Sequence, residues 1–174
     1  MKNRVIIVVA AVLAAALCMG LGAWGARKFF VLAKAPQDIA SQLYAQKHPY
    51  IGRYPSRLID LLTAPNVFSR NGAQLHTKKA PYGLELKYLV KDEAKVLDSL
   101  FSRPEDDRIF QHNALIIMAL IDNCDFVMYT VDEETLQHYT RAWADALIGG
   151  DIKAQTGTEA EFRAFLAKLD SFAT

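Results

Sequence analysis

The sequence has little cysteine, with two residues in 174, Cys18 and Cys124. Cys18 lies inside a long apolar run, so Cys124 has no disulfide partner in the rest of the chain. A disulfide-stapled fold is therefore excluded, and stability must come from an apolar core, which the remaining ~130 residues can supply. We expect Cys124 to be a small buried apolar residue.

The sequence also lacks recognisable catalytic motifs. It has no GxSxG or HExxH pattern, and beyond the apolar run it has no glycine-rich phosphate loop. Its four histidines, His48, His76, His112 and His138, have no second ligand residue at the spacing of a metal site. We therefore predict no metal site, no cofactor and no enzymatic activity.

An excess of charge of one sign is missing as well. The chain has 20 Lys and Arg against 19 Asp and Glu, so nucleic acid is a poor candidate partner. The distribution is uneven, because residues 34–103 carry 11 basic and 6 acidic residues, whereas residues 104–174 carry 5 and 13. Either the two halves attract each other, or an electropositive face meets anionic lipid or wall polymer.

What the sequence does have is an uncharged apolar run over residues 5–25, flanked by two basic residues on each side. As a helix it spans roughly 30 Å, the thickness of the hydrocarbon core of a bilayer. The run exceeds the usual apolar stretch of a cleaved signal, so we predict an N-terminal membrane anchor over residues 1–28. Cleavage after Gly22 or Gly25 is the alternative.

The orientation of this anchor follows from its place in the chain. The basic residues on its two sides nearly balance, but a short tail followed by a long domain is typical of a signal anchor. We predict a single-pass protein of the cell membrane, in contact with the lipid bilayer through this helix. Residues 29–47 are a juxtamembrane linker, and residues 48–174 are an extracytoplasmic domain.

The first part of the domain reads as two short helices and a hairpin. Asp38 is positioned to cap a helix that reaches residue 44 or 45, and residues 57–62 form an apolar helical patch. Alternation over 84–90 predicts a strand that pairs with residues 73–79. Residues 80–83, with proline second and glycine fourth, favour a type I turn between them.

The second part begins with a strongly apolar helix. Ser102 and Glu105 form a possible capping box for a helix that continues to Ile121. Because residues 114–121 are apolar all round, this helix is expected at the centre of the domain.

Residues 124–131 then read as a third strand, rich in aromatic and β-branched side chains. A helix capped by Asp132 follows to about residue 148 and ends at Gly149. Thr158 and Glu161 form a capping box for a last helix. The predicted fold is α+β, with a three-stranded antiparallel sheet packed on about three helices.

A polar pair, Asp122 and Asn123, stands where the apolar helix gives way to a strand. In one interpretation Asn123 ends the helix in the left-handed conformation, and Asp122 accepts bonds from nearby backbone or a basic side chain. In the other, a ligand ammonium compensates Asp122, since a carboxylate is disfavoured at a helix C-terminus. Tyr50 with Gly52 is a further candidate ligand or partner contact, as is the turn of Pro81, Tyr82 and Gly83.

Three segments carry a family resemblance over roughly residues 50–169. They are Tyr50-Ile51-Gly52, the run 79–84 (KAPYGL) and the run 113–123 (NALIIMALIDN). In order and spacing they resemble domain of unknown function 4825. The resemblance implies an extracytoplasmic domain of Gram-positive bacteria that follows an anchor or is attached to BlaR-like membrane metalloproteases. It implies no catalytic residues.

These observations predict a membrane-anchored sensory or interaction domain that binds an envelope ligand or a membrane-protein partner. One alternative is an envelope hydrolase with a site assembled from distant residues such as Asp122, His112 and His138. Another is a structural accessory subunit of a membrane complex.

Overall fold

A computed structural model of the chain describes residues 38–53, 55–91 and 104–172. The predicted anchor, the first part of the linker and Ser102 of the first capping box lie outside the described residues. The elements are α1 (Ile39–Tyr44), α2 (Ser56–Leu61), β1 (Phe68–His76), β2 (Gly83–Val90), α3 (Pro104–Leu120), β3 (Phe126–Val131), β4 (Glu134–Thr140), α4 (Arg141–Ile148), a 3₁₀ helix (Ile152–Thr156), α5 (Glu159–Leu166) and α6 (Leu169–Phe172). Among these helices, none combines the length and apolarity needed to cross a bilayer.

The strands of the described residues form one mixed sheet in the order β1-β2-β3-β4. The outer pairs, β1 with β2 and β3 with β4, are antiparallel, whereas the central strands β2 and β3 run parallel. A parallel pair needs a long crossover, and α3 lies in the segment that connects these two strands. The α+β class is confirmed, but the predicted three-stranded antiparallel sheet is wrong in strand number and in pairing.

The fourth strand was missed because its turn lacks the usual signal. Residues 132–148 read as one helix in sequence, yet Asp132 and Glu133 form a two-residue turn with φ of 49° and 71°. Such a mirror-image turn matches the twist of a hairpin and normally contains glycine. Residues 134–140 therefore return as β4, and the helix starts at Arg141, capped by Thr140 instead of Asp132. Its predicted end at Gly149 is confirmed, with φ of 74°.

Helix α3 lies at the centre of the core, as its sequence predicts. Every residue from 114 to 121 is buried. On one side the Tyr129 hydroxyl of β3 donates to the Phe110 carbonyl, 3.1 Å away. On another, Thr156 of the 3₁₀ helix donates to the Ala119 carbonyl at 2.9 Å. Helix α3 therefore joins the sheet to the C-terminal helices.

The first helix is tied to a helix far along the chain. The Arg163 guanidinium of α5 donates two hydrogen bonds to the Asp38 carboxylate, at 2.8 and 2.9 Å. Hydrogen bonds from Arg163 and from the Ser41 backbone lower the pKa of Asp38 to about 2. Ser41 also donates to Glu159, and Leu43 joins the core. The described residues form one unit, so α1, which the predicted linker contained, belongs to the folded domain.

Two predicted caps are confirmed. Asp38 accepts from the Ser41 backbone nitrogen, and Thr158 with Glu161 forms a reciprocal capping box at the start of α5. The hairpin of β1 and β2 is also confirmed, with a longer connection than the predicted turn: six residues, 77–82, and a cis peptide bond between Ala80 and Pro81.

Gly83 begins β2 at a point where the sheet leaves no room for a side chain. A Cβ atom built there lies 2.4 Å from the ring of Phe126, its neighbour on β3. Only glycine allows the two strands to pair here without moving that ring.

We expect Gly83→Ala to lower the free energy of unfolding by about 1–3 kcal/mol, because overpacking displaces the Phe126 ring. Urea denaturation of Gly83→Ala, Phe126→Ala and the double variant measures this loss. We expect Gly83→Ala to cost less free energy of unfolding when Phe126 is also replaced by alanine. An equal cost of Gly83→Ala in both backgrounds contradicts this account.

Candidate functional site

The three segments that carry the family resemblance meet at the C-terminal end of α3. His48 and Ile121 form a parallel bridge, in which the His48 nitrogen donates to the Leu120 carbonyl at 2.9 Å and the Asp122 nitrogen to the His48 carbonyl at 3.2 Å. The Asn123 amide oxygen accepts from the Ile51 backbone nitrogen at 2.6 Å. The loop after α1 is thereby fixed to the end of α3.

The loop before β2 is held to the same region. The Tyr82 backbone nitrogen donates to the Asp125 carboxylate at 2.8 Å, and the Asp125 nitrogen donates to the Tyr82 carbonyl at 2.7 Å. Tyr82 is half-buried and Gly83 is buried, whereas Pro81 is exposed. Gly52 is exposed too, with open space where a Cβ would lie. Tyr82, Gly83 and Asn123 therefore have structural contacts of their own.

Arg141, at the start of α4, bonds to the backbone in the region where these loops meet the end of α3. Its guanidinium lies within hydrogen-bond distance of the carbonyl oxygens of four residues around the end of α3, Met118, Ile121, Asp122 and Cys124. Its backbone nitrogen donates to the Asp125 carbonyl at 2.7 Å. A cation there satisfies carbonyls that a helix end leaves unpaired and compensates its partial negative charge.

This arrangement corrects the interpretation of the polar pair. Asn123 does not adopt the left-handed conformation, since the residues with positive φ among the described non-glycine residues are Asp132 and Glu133. Arg141 supplies the basic side chain expected there, but it bonds to the backbone carbonyl of Asp122. Among the described residues, no hydrogen bond or ion pair engages the Asp122 carboxylate.

A cleft of about 330 Å³ opens beside this junction. It is formed by the end of α1, the loop that follows, the first turn of α2 and the end of α3. The lining residues are Ala45, Gln46, Lys47, His48, Tyr50, Arg53, Pro55, Ser56, Arg57, Leu58 and Ile121. Its size lies at the small end of the range of ligand sites in proteins.

The charge of the cleft is one-sided. Lys47, Arg53 and Arg57 line it, and none of the eleven described residues that line it is acidic. Lys47 Nζ donates to the Thr156 carbonyl at 2.5 Å, which fixes one of its hydrogens. Within the described part of the chain, no hydrogen bond or ion pair engages the guanidinium of Arg53 or Arg57, and both residues are exposed.

His48 and Tyr50 complete one wall of the cleft. The Nδ1 atom of His48 lies 3.0 Å from both the backbone nitrogen and the carbonyl oxygen of Tyr50, so Nε2 is the ring nitrogen left for other contacts. Tyr50 is 65% exposed, which is unusual for a large aromatic residue. Of the predicted contacts, Tyr50 is the one that lines this cleft.

A second polar cluster lies on the sheet and surrounds the carboxylate of Glu85 on β2. Burial raises the pKa of Glu85, but hydrogen bonds from His76 and Thr130 and the charge of Lys87 outweigh it, so its pKa lies below the ordinary value. The Nε2 atom of His76 lies 3.1 Å from Glu85 Oε2. This carboxylate is thus fully engaged by its neighbours.

The residues of the alternative hydrolase site do not come together. His138 of β4 pairs with Met128, on the face of the sheet opposite to Tyr129, which contacts α3. His112 belongs to α3, so the sheet separates the two histidines. Within the described ranges, no group of three or more His, Cys, Asp or Glu side chains is arranged to hold a metal ion.

Cys124 is buried, as its sequence context predicts. Burial raises the pKa of its thiol to about 12, and the thiol donates to the Phe126 carbonyl. Such a thiol is inert as a nucleophile.

Comparison with known families identifies the domain. Domain of unknown function 4825 (DUF4825) matches residues 43–142. The chain belongs to this family. The match confirms the resemblance of the three segments, and the DUF4825 region contains the described lining residues of the cleft as well as Arg141. No match was found among curated proteins or among solved structures.

Sequence reasoning missed both Arg141 and the cleft. Arg141 had one signal, since it is the sole Lys or Arg between Arg108 and Lys153, in the acidic half of the chain. The cleft had a weaker signal in the sequence, which is the excess of basic residues in the first half of the chain.

We expect Arg141→Met to lower the free energy of unfolding by about 2–4 kcal/mol, because it leaves buried carbonyls without a charged donor. Urea denaturation measures the loss, and Arg108→Met, which removes an exposed arginine from α3, is the matched control with little effect. Equal stability of the two variants refutes the role assigned to Arg141.

Proposed function

We propose that this DUF4825 protein is a membrane-anchored extracytoplasmic module that binds an anionic ligand of the cell envelope in the cleft. The observation that carries the proposal is a concave site with three Lys or Arg side chains, in which the described residues provide no acidic lining residue and no partner for the two guanidinium groups. The protein's contribution is recognition, as in a sensory or interaction domain.

The ion pairs of the domain support this reading of the charge. If the basic first half served to attract the acidic second half, its basic side chains would pair with acidic ones there. Among the described residues, the ion pair that joins residues 34–103 to residues 104–174 has the opposite sense, Asp38 with Arg163. Arg70 and Lys87 pair within the first half. The basic residues of the cleft therefore remain available to a ligand.

Binding fits the cleft better than catalysis does. The described residues that line it include no carboxylate for acid–base work, and the two histidines of the alternative hydrolase lie on different faces of the sheet. The family match adds no catalytic role.

The location follows from the predicted anchor over residues 1–28. We expect an alkaline phosphatase fused after Thr174 to be active in intact cells, because that enzyme needs an oxidising compartment. A reporter that works in the cytoplasm is the control fusion and stays inactive at the same position. The reverse pattern places the domain in the cytoplasm and contradicts the proposal that its ligand belongs to the cell envelope.

Cross-linking in cells tests the cleft itself. With a photoreactive amino acid at Ser56, on the cleft, we expect an adduct that disappears when Arg53→Gln and Arg57→Gln are added. The control position is Thr135, exposed on β4 outside the cleft, which yields no such adduct. Adducts that survive the loss of both guanidinium groups, or none at Ser56, contradict the proposal.

A further inference from the structure

We infer that the group recognised in the cleft is a phosphate, carried on a small polar moiety such as glycerol or a sugar. This inference rests on the proposed function and adds the chemical class of the ligand. Three properties of the cleft support it: the charge of the cleft, the number and type of its donors, and its size.

The charge of the cleft calls for more than one negative charge. Lys47, Arg53 and Arg57 bring three positive charges. Of the acidic residues near in sequence, Asp60 lies 3.9 Å from the Arg70 guanidinium, and Asp122 follows the lining residue Ile121. Even with Asp122 counted, two positive charges remain, which a monocarboxylate cannot match. A phosphate monoester can match them, and so can two or more phosphodiesters side by side in a polymer or a lipid surface.

The donors also outnumber the acceptors of a carboxylate. Each guanidinium is a planar fork that bonds two oxygen atoms side by side, and one such fork already engages both oxygen atoms of a carboxylate. With a second fork, the remaining hydrogens of Lys47 and the Ser56 hydroxyl, the cleft suits a tetrahedral group with three or four oxygen atoms. The Nε2 atom of His48 is a further polar group that a ligand in the cleft can contact.

The remaining volume indicates what accompanies the phosphate. The cleft of about 330 Å³ has room for more than an inorganic ion. The exposed ring of Tyr50 offers an apolar face with a hydroxyl at its tip, which packs well against the carbon skeleton of glycerol or a sugar. In an envelope such groups occur in anionic lipid headgroups and in soluble or polymeric glycerol phosphates.

A titration of the full-length chain in uncharged detergent micelles tests the chemistry. Isothermal calorimetry with glycerol 3-phosphate is expected to show binding, and glycerol is expected to show none. Citrate, a polyanion made of carboxylates, is expected to bind at least tenfold more weakly. Inorganic phosphate is expected to bind more weakly than glycerol 3-phosphate.

The variants assign the binding to the cleft. Arg53→Gln/Arg57→Gln is expected to weaken binding of glycerol 3-phosphate at least tenfold. The control Lys153→Gln/Lys168→Gln removes the same charge from exposed positions outside the cleft and leaves affinity within twofold. Thermal unfolding of both variants shows whether they fold. Equal losses in the two variants overturn the assignment.

A titration with added lipid shows whether the phosphate comes from a lipid headgroup or from a soluble or polymeric compound. If phosphatidylglycerol added to the micelles abolishes binding of glycerol 3-phosphate to the native chain, the headgroup is the ligand. If it does not, the ligand is a soluble or polymeric phosphate, and the phosphate assignment holds in both cases.

Two failures are distinguishable. Binding of citrate at least as tight as that of glycerol 3-phosphate, or no phosphate binding while the Ser56 adduct still depends on Arg53 and Arg57, overturns the phosphate and leaves the proposed function standing. Loss of both results overturns both.

Discussion

The guanidinium of Arg141 at the C-terminal end of α3 is the contact on which the rest of the domain depends. It bonds the carbonyl groups of residues 118, 121, 122 and 124, where the buried helix stops and the chain turns into β3. A helix end buried in a core is costly unless its carbonyls find donors. The Thr156 hydroxyl and the His48 nitrogen bond the carbonyls of Ala119 and Leu120, and Arg141, directly after β4, meets the need at Met118 and in the turn. The helix, the turn and the last hairpin are thereby fixed together.

The cleft inherits its shape from this junction. Residues 121–123 are held in place from one side by Arg141, and on the other side they hold the loop after α1 through His48 and Ile51. That loop carries Tyr50 and Arg53. A binding site in a loop is precise when the scaffold beneath it is rigid, and here the scaffold is the most deeply buried helix of the domain. The polar pair is thus a support for the cleft more than a part of it.

Much of the fold could be predicted from sequence, and the failures have physical causes. Periodicity and caps found the buried helix, the hairpin, β3 and the capping box of α5, because each depends on neighbouring residues. The return strand β4 was hidden by a turn of Asp132 and Glu133 without glycine, and by Leu136, Tyr139 and Trp143, whose spacing imitates a helix. The parallel pairing of β2 with β3 has no local signature at all.

The candidate site was less predictable than the fold. Tyr50 was found because it belongs to a short motif. The basic residues around it form a site only because the fold places the first turn of α2 beside the end of α3. The excess of basic residues in the first half was visible in sequence, and its interpretation had to wait for the ion pairs. A carboxylate or a guanidinium reveals its role through its partners, which are set by tertiary structure.

The tie between α1 and α5 has a consequence for the order in which the domain is made. Asp38, at the start of the folded unit, is held by Arg163, 125 residues later in the chain. A ribosome adds residues from the N-terminus, so the first helix meets its partner after almost the whole domain has been synthesised. The contact between α1 and α5 therefore forms only at the end of synthesis or after it.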